Sequence, residues 1–187
     1  YNEKIAQGLN SFTGERFSGT ALWQPSLTMM GKKVDELDQG KGMDFTILTR
    51  KSALQTQSRL SSNSFIREIQ PTNWAEINTE DGKALGLKTG DSVWVETVEG
   101  RRRCEVKLRD GVAPGVISFI VGYGHWGYGA TDIDIGGKRI KGSKIRAAGI
   151  NLNPIMRLDP DVWGMPLMDP IGGSSSFFNT RAKIIKA

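Results

Sequence analysis

The sequence predicts a small, mainly β barrel with two short helices. Six short segments have the alternating or continuous apolar pattern of strands, and only two segments carry helix signals. Glycine is abundant, at 23 of 187 residues, which favours short strands joined by many turns over long helices. The hydrophobic fraction of 38% is modest, but a chain of this length is sufficient for one domain with a proper core.

The first strand and the first helix lie on either side of a polar segment. Residues 44–49 form the first convincing strand, and they run directly into a polar, basic loop at residues 50–60. A short helix follows, with Ser62 or Asn63 as its N-cap. Pro71 stops this helix, because proline lacks the backbone donor that a helix interior requires.

The second strand, residues 74–77, leads into the second helix. Asn78 is a good N-cap, and Asp81 three residues later can complete a capping box. Gly86 suits the left-handed position that ends a helix. The alternating residues 92–97 then predict the third strand.

A hairpin turn joins the third strand to the fourth, residues 101–108. Cys104 falls on the apolar side of that strand, which predicts a small buried side chain. Residues 116–121 are continuously apolar, so we expect a central strand that is buried on both faces. A glycine–aromatic loop follows at residues 122–130, and residues 180–186 close the chain as the last strand.

The N-terminal residues 1–43 have little periodicity and are interrupted by glycines. We expect them to form an extended arm or interdomain connection, and residues 44–187 to form the barrel domain. Large apolar side chains are candidate anchors for the arm: Phe12, Phe17, Leu22 and Trp23.

Composition restricts the class of site. The net charge of +5 favours anionic partners, which include nucleic acid, a nucleotide-like cofactor and an acidic protein surface. One cysteine and one histidine exclude an internal disulfide, a cysteine zinc site, an iron–sulfur cluster and a multi-histidine metal site within this chain. No apolar run approaches the ~18–20 residues of a membrane helix, and no signal-peptide pattern opens the chain. We therefore assign no catalytic and no metal-ligating residue here.

Two segments could bind a ligand. His125 lies between glycines and aromatic residues, where it either makes a structural hydrogen bond or acts on a ligand that the glycines allow to approach closely. Residues 49–59 follow a strand and carry hydroxyl, amide and cationic groups that can donate to phosphates or to a heterocycle. A solvated polar loop is the alternative for this segment.

The order of these features resembles the C-terminal molybdopterin-dinucleotide-binding domain of the dimethyl-sulfoxide-reductase superfamily. The resemblance extends from Asp44 to the end of the chain and rests on Asn-Thr-Glu-Asp at 78–81, Leu-Gly-Leu-Lys-Thr-Gly-Asp at 85–91 and Asn-Leu-Asn at 151–153. Residues 122–130 and 169–174 resemble more narrowly the catalytic subunits of tetrathionate reductase and respiratory arsenate reductase.

The resemblance implies a double-psi β-barrel that binds a bis(molybdopterin guanine dinucleotide) cofactor carrying molybdenum or tungsten. In that family the metal ligand and the iron–sulfur cysteines lie in preceding domains of the same subunit. We therefore expect this chain to be a non-catalytic piece of an oxidoreductase used in anaerobic respiration. The implied parent is exported to the outer face of the cytoplasmic membrane, with iron–sulfur and membrane-anchor subunits as further partners, while this domain itself is soluble.

The resemblance also implies which side chains contact the cofactor. The residues expected to contact phosphates or pterin are Thr49, Lys51, Gln55, Gln57 and Ser58. The remaining cofactor-binding residues are His125 and Trp126 over the pterin, Asn153 as a hydrogen-bonding amide, and Phe178 and Arg181 from the last strand. The sequence departs from the family at 55 or 57, because many relatives carry a histidine where one of these two glutamines stands.

Two other functions compete with cofactor binding. A basic β-barrel could bind single-stranded nucleic acid by stacking bases on Trp and Tyr, but the aromatic residues here gather in one glycine loop and do not alternate with Lys or Arg along strands. A double-psi barrel could also be a protein-interaction module, as in the substrate-recognition domains of some AAA ATPases. That function would leave residues 49–59 without a ligand.

Overall fold

The computed structural model describes residues 3–11, 13–20, 23, 25–60, 63–127, 129–169, 173–176 and 178–187. The candidate anchors Phe12 and Leu22 and the candidate cap Ser62 lie outside the described residues. Phe17 is 46% exposed and Trp23 82% exposed, so neither packs as an anchor. No helix in the described ranges combines the length and the apolar character required to cross a membrane.

Short strands dominate the described part of the chain. The strands are β1 (Phe45–Arg50), β2 (Ala75–Ile77), β3 (Ser92–Thr97), β4 (Gly100–Leu108), β5 (Val116–Ile120), β6 (Ile133–Ile135), β7 (Lys138–Ile140) and β8 (Thr180–Lys186). The helices are α1 (Glu3–Gln7), α2 (Ser64–Ile69), α3 (Thr79–Ala84) and α4 (Lys144–Ala147). Single 3₁₀ turns occupy Val34–Glu36, Gln57–Leu60 and Asn153–Ile155.

Six strands close into a barrel in the order β1-β5-β2-β4-β3-β8. The pairs β1/β5 and β2/β4 are parallel, and the other pairs are antiparallel. These six are the strands that the sequence predicts, and the fold class of a mainly β barrel with small helices is confirmed. The β6–β7 hairpin, α1 and α4 lie outside the predicted elements.

The barrel interior is filled by alternate side chains of each strand. Ile47, Ile77, Val93 and Phe119 are among the side chains with no exposed surface. Strand β5 is buried along nearly its whole length, as its continuous apolar run predicts. Cys104 is also buried in this core, and burial raises the pKa of its thiol to about 12.

Helix caps follow the local sequence. The side-chain oxygen of Asn63 accepts from the N–H of Phe65 at 3.0 Å, and that of Asn78 accepts from the N–H of Glu80 at 2.8 Å. Both are predicted N-caps. Asp81 bonds elsewhere than in the predicted capping box, because its carboxylate accepts from the N–H of Gly115 at 2.8 Å and ties α3 to the start of β5.

The last part of the N-terminal arm packs on the barrel. Asp38 is buried and pairs with Arg157, whose guanidinium also reaches Glu99 in the β3–β4 turn. The N–H of Met29 donates to the carboxylate of Asp159 at 2.9 Å. Charged groups of the segment after β5 therefore hold this part of the arm.

Candidate cofactor-binding cavity

Four strand ends meet at one edge of the barrel. Strands β1 and β5 are parallel neighbours, with Arg50 opposite Ile120, so their carboxyl ends lie side by side. Strand β2 is antiparallel to β5, and β8 is antiparallel to β1, which brings the amino ends of β2 and β8 to the same edge. In open α/β sheets, ligands bind beside the carboxyl ends of parallel strands, and β1 and β5 offer the same arrangement here. A cavity of about 400 Å³ opens at this edge.

Seven of the ten predicted site residues line this cavity. They are Thr49, Lys51, Gln57, Ser58, His125, Asn153 and Phe178. They come from segments far apart in the sequence, namely the end of β1 with the loop after it, the loop after β5, the 150–156 segment and the residues before β8. The barrel topology alone brings them together.

Glycines let the cavity loops pack backbone against backbone. A Cβ at Gly122 would come within 2.7 Å of the carbonyl carbon of Gln57, and one at Gly124 would overlap the backbone at Ile150 and Asn151. Both glycines have a positive φ, of 92° and 67°. Gln57 itself has φ 50°, a conformation that is uncommon for a residue with a side chain and that clusters at functional sites.

Two buried carboxamides fasten the cavity loops to the end of β5. Gln55 is 3% exposed, and its amide donates to the carbonyl of Val121 at 2.9 Å. Asn73 is 2% exposed, and its amide donates to the carbonyls of Ile120 and Ile150 at 2.9 and 3.1 Å. The loop after β1 and the 150–156 segment are thus both tied to the last residues of β5 and the position after it.

Three predicted site residues lie away from the cavity lining. Gln55 is buried behind the loop, for the reason just given. Trp126 is 57% exposed, and its carbonyl accepts from the hydroxyl of Thr131 at 2.6 Å. Arg181 lies between the inward-facing Thr180 and Ala182, so its side chain leaves the barrel and borders a separate hollow formed with residues 38–44.

Sequence reasoning missed several residues that shape the cavity. Asn73 follows Pro71-Thr72 and resembles an ordinary turn residue. Tyr123 is 3% exposed, and its hydroxyl donates to the carbonyl of Gln70 at 2.8 Å. The guanidinium of Arg67 lies 4.2 Å from the centre of the Tyr123 ring. The position of Tyr123 just after the apolar run of β5 was the sequence signal that could have predicted its burial.

Burial dominates the titration of this cation–aromatic pair. Burial lowers the pKa of Arg67, which the neighbouring Tyr123 partly offsets. Burial also raises the pKa of Tyr123, opposed by Arg67 and by the hydrogen bond to Gln70. The phenol therefore stays neutral at physiological pH and remains a hydrogen-bond donor to the loop that ends α2.

His125 is oriented by its own loop. Its Nε2 lies 3.1 Å from the carbonyl oxygen of Gly122. A carbonyl only accepts, so this bond places a proton on Nε2. The ring is therefore fixed at the wall of the cavity next to the glycine pair 122 and 124.

The lining chemistry fits a pterin dinucleotide. Lys51 carries a positive charge of the kind that pairs with a pyrophosphate. The hydroxyls and amides of Thr49, Ser58, Gln57 and Asn153 are of the kinds that match the many donors and acceptors of a pterin. Gly122 and Gly124 let the loop after β5 lie directly against the backbone of Gln57 and of Ile150, which brings these lining groups together at one edge. Within the described ranges, no group of three or more His, Cys, Asp or Glu side chains is arranged to hold a metal ion directly.

Comparison with known proteins gives consistent relatives. Residues 45–161 match the family described as the molybdopterin dinucleotide binding domain. A selenate reductase subunit of Mesobacillus selenatarsenatis is 37% identical over 98% of this chain and 18% of that protein. A tetrathionate reductase subunit of Salmonella typhimurium is 32% identical over 86% of this chain and 16% of that protein. The chain thus spans less than a fifth of the length of these curated relatives.

A solved structure supports the fold. Acetylene hydratase from Pelobacter acetylenicus superposes with a TM-score of 0.57 at 20% identity, over 89% of this chain and 21% of that one. At this identity the likeness concerns the fold alone, and it agrees with the closed six-stranded barrel. The matched family spans five of the six barrel strands and most of the cavity loops. This chain belongs to the molybdopterin dinucleotide-binding domain family of molybdenum and tungsten oxidoreductases.

Proposed function

We propose that this chain covers the bis(molybdopterin guanine dinucleotide) of an oxyanion reductase and holds its pterin and phosphate groups in the cavity at the β1–β5 edge. The observation that carries the proposal is that cationic, hydroxyl and amide side chains of residues 49–58 and amides of residues 150–156 line one cavity, together with His125 and Phe178 from two further segments. Residues 44–187 are the binding domain in this proposal, and residues 1–43 connect it to the preceding domains.

The side chains divide by chemistry. Lys51 pairs with the pyrophosphate, since a lysine ammonium is a compact point charge suited to phosphate oxygens. Gln57 and Asn153 bond the heterocycle edges, and His125 lies against the pterin. When bound, the cofactor supplies the redox chemistry at its metal, while these residues bind it, orient it and exclude water.

The activity of the parent enzyme is proposed from the similarity of this chain to its curated relatives. The relatives are reductases of selenate and of tetrathionate, so the parent is proposed to reduce an oxyanion of this kind. Its further partners are the preceding domains of the same polypeptide, which grip the other side of the cofactor, and iron–sulfur and membrane-anchor subunits. The parent is exported and associated with the outer face of the cytoplasmic membrane.

Direct binding tests the proposal. The purified chain is titrated anaerobically with molybdopterin guanine dinucleotide in a calorimeter at several salt concentrations. We expect binding that weakens with salt, because a charged pyrophosphate is recognised at the surface. Lys51→Gln is expected to weaken binding about tenfold and to flatten the salt dependence, since it removes one charge-assisted contact.

A matched lysine provides the control. Lys138→Gln removes an exposed charge from the β6–β7 hairpin, away from the cavity lining, and is expected to leave affinity unchanged. The proposal fails if the folded wild-type chain gives no binding heat, or if the two lysine variants behave alike. Binding of a single-stranded oligonucleotide in preference to the dinucleotide would favour the nucleic-acid function instead.

A further inference from the structure

We propose that Asn73 is a positioning residue that sets the distance between two walls of the dinucleotide cavity without contacting the ligand through its amide donors. One wall is the loop after β5, which carries His125, and the other is the 150–156 segment, which carries Asn153. The proposal rests on the function proposed above, and it concerns a residue that the resemblance to the family did not single out.

Three hydrogen bonds of Asn73 join the end of β5, from which the His125 loop departs, to the first residue of the 150–156 segment. Its Nδ2 donates to the carbonyl of Ile120 at the end of β5 and to the carbonyl of Ile150, at 2.9 and 3.1 Å. Its Oδ1 accepts from the N–H of Ile150 at 2.8 Å. The side chain therefore pairs with the backbone at residue 150 as a second strand would, while its other N–H binds the neighbouring β-strand.

The hydrogen-bond inventory of the amide excludes a donor role towards the ligand. A carboxamide has two N–H donors, and both are used on carbonyls. Asn73 borders the cavity, yet it is 2% exposed. Its influence on a ligand therefore passes through the backbone that it holds.

The backbone around Asn73 is packed tightly against its side chain. A Cβ at Gly149 would overlap Oδ1 of Asn73, so the chain before Ile150 lies directly on the amide. The N–H of Gly124 donates to the carbonyl of Ala148 at 2.9 Å, which joins the His125 loop to the same segment. Losing the amide would break the link between the end of β5 and residue 150, and it would remove hydrogen-bond partners from backbone groups of Ile120 and Ile150.

Asn78 offers a matched control at the other end of the same strand. Asn73 precedes β2 and Asn78 follows it, so the two residues flank the strand at opposite ends. The amide of Asn78 also donates to a loop carbonyl, that of Val112 at 2.8 Å, and its oxygen caps α3. Asn78→Ala therefore removes side-chain hydrogen bonds to the backbone, as Asn73→Ala does, but at the end of β2 that lies away from the cavity.

The experiment measures dinucleotide affinity and local hydrogen exchange of the full chain. Asn73→Ala is expected to weaken binding of molybdopterin guanine dinucleotide about ten- to a hundredfold. Losses of this size follow when residues that orient the ligands of metal sites are removed. It is also expected to speed exchange of the N–H groups of Ile150 and Gly124 selectively. Asn78→Ala is expected to lower stability while leaving affinity and these two amides unchanged.

A conservative variant covers the case in which Asn73→Ala does not fold. Asn73→Asp keeps the shape and the acceptor for the N–H of Ile150, but turns a carboxylate towards the two carbonyls. It should weaken binding and recover part of the affinity as acid protonates the new carboxyl group. The inference is overturned if the wild-type chain binds and the Asn73 variants bind equally well. If the wild-type chain does not bind, the function fails, and unchanged exchange at Ile150 and Gly124 would still refute the positioning role.

Discussion

Position 124 requires glycine for two separate reasons. Its φ of 67° is strained for any residue with a side chain, and a Cβ there would overlap the backbone of Ile150 and Asn151. Only the first reason is a property of the local conformation. The second arises because the His125 loop and the 150–156 segment press together to form the cavity.

The two reasons can be separated with alanine. Gly124→Ala is expected to lower the free energy of unfolding by about 3 kcal/mol or more, since strain and overlap add. Gly136→Ala, at φ 56° with nothing within 4 Å of the new Cβ, is expected to cost only about 1 kcal/mol. Urea unfolding of both variants measures the difference, and equal losses would mean that the contact at Gly124 is not tight.

Two glutamines show how far a residue pattern predicts a site. The resemblance assigns cofactor contacts to both Gln55 and Gln57, two positions apart in one polar loop. The structure places Gln57 on the cavity and buries Gln55 against Val121. No local pattern distinguishes them, because the direction of each side chain depends on how the loop folds over β5.

The loop of residues 157–162 is an element organised by one carboxylate. Burial alone would raise the pKa of Asp159, but hydrogen bonds from the N–H groups of Met29, Asp161 and Val162 outweigh it and lower the pKa. The charge of Lys32 acts in the same direction. The ionised form therefore holds the arm and the loop together.

This lowered pKa predicts a pH dependence of stability. Because the pKa of Asp159 is lower in the folded than in the unfolded protein, its ionised form stabilises the fold at pH values above the unfolded-state pKa of ~3.9. This stabilisation is lost as the pH falls through the folded-state pKa. Asp159→Asn should therefore lower the free energy of unfolding by about 1–2 kcal/mol at pH 7, with a difference from wild type that shrinks towards pH 3. Urea titrations across this range measure it.

Asp35→Asn is the control for this titration, because Asp35 is exposed and its substitution should leave the pH profile unchanged. A constant difference between Asp159→Asn and the wild type from pH 7 to pH 3 would show that the carboxylate charge is not responsible.

The β6–β7 hairpin is an element that the strand patterns of the sequence do not predict. A two-glycine turn at 136–137 joins Ile133–Ile135 to Lys138–Ile140, and such turns favour hairpins. The turn signal is present, but the hairpin pairs only with itself, outside the barrel. Alternating apolar residues identify a barrel strand because one face of that strand is buried. The isoleucines of this hairpin are exposed, so the same pattern is not informative here.

At the scale of the whole molecule, Arg157 links three parts of the chain. Its guanidinium pairs with Asp38 of the arm at 3.0 Å and with Glu99 of the β3–β4 turn at 2.7 Å, and its own backbone N–H is bonded to Thr180 at the start of β8. Its side chain and that of Asp38 are 10% and 3% exposed. Removing the cation would leave a buried carboxylate with one remaining partner, Lys41.

Arg157→Ala is therefore expected to lower the free energy of unfolding by about 3 kcal/mol and to release the arm to proteolysis. Arg139→Ala breaks exposed pairs in the β6–β7 hairpin, and its cost should stay below about 1 kcal/mol. Urea unfolding and limited proteolysis of the two variants measure these effects. Similar behaviour of both would contradict a buried link between arm and barrel.

The sequence alone determined the six barrel strands, the cap of α3, the family and the kind of ligand, and it limited the cap of α2 to Ser62 or Asn63. Each of these follows from short-range patterns of burial, turn chemistry and motif order. Only the tertiary structure decided which residues share the cavity. Parallel pairing of β1 with β5 aligns loops that are about seventy residues apart in the chain, and Asn73 then ties the end of β5 to residue 150. Such long-range registration depends on closing the barrel and leaves no signal within any single segment.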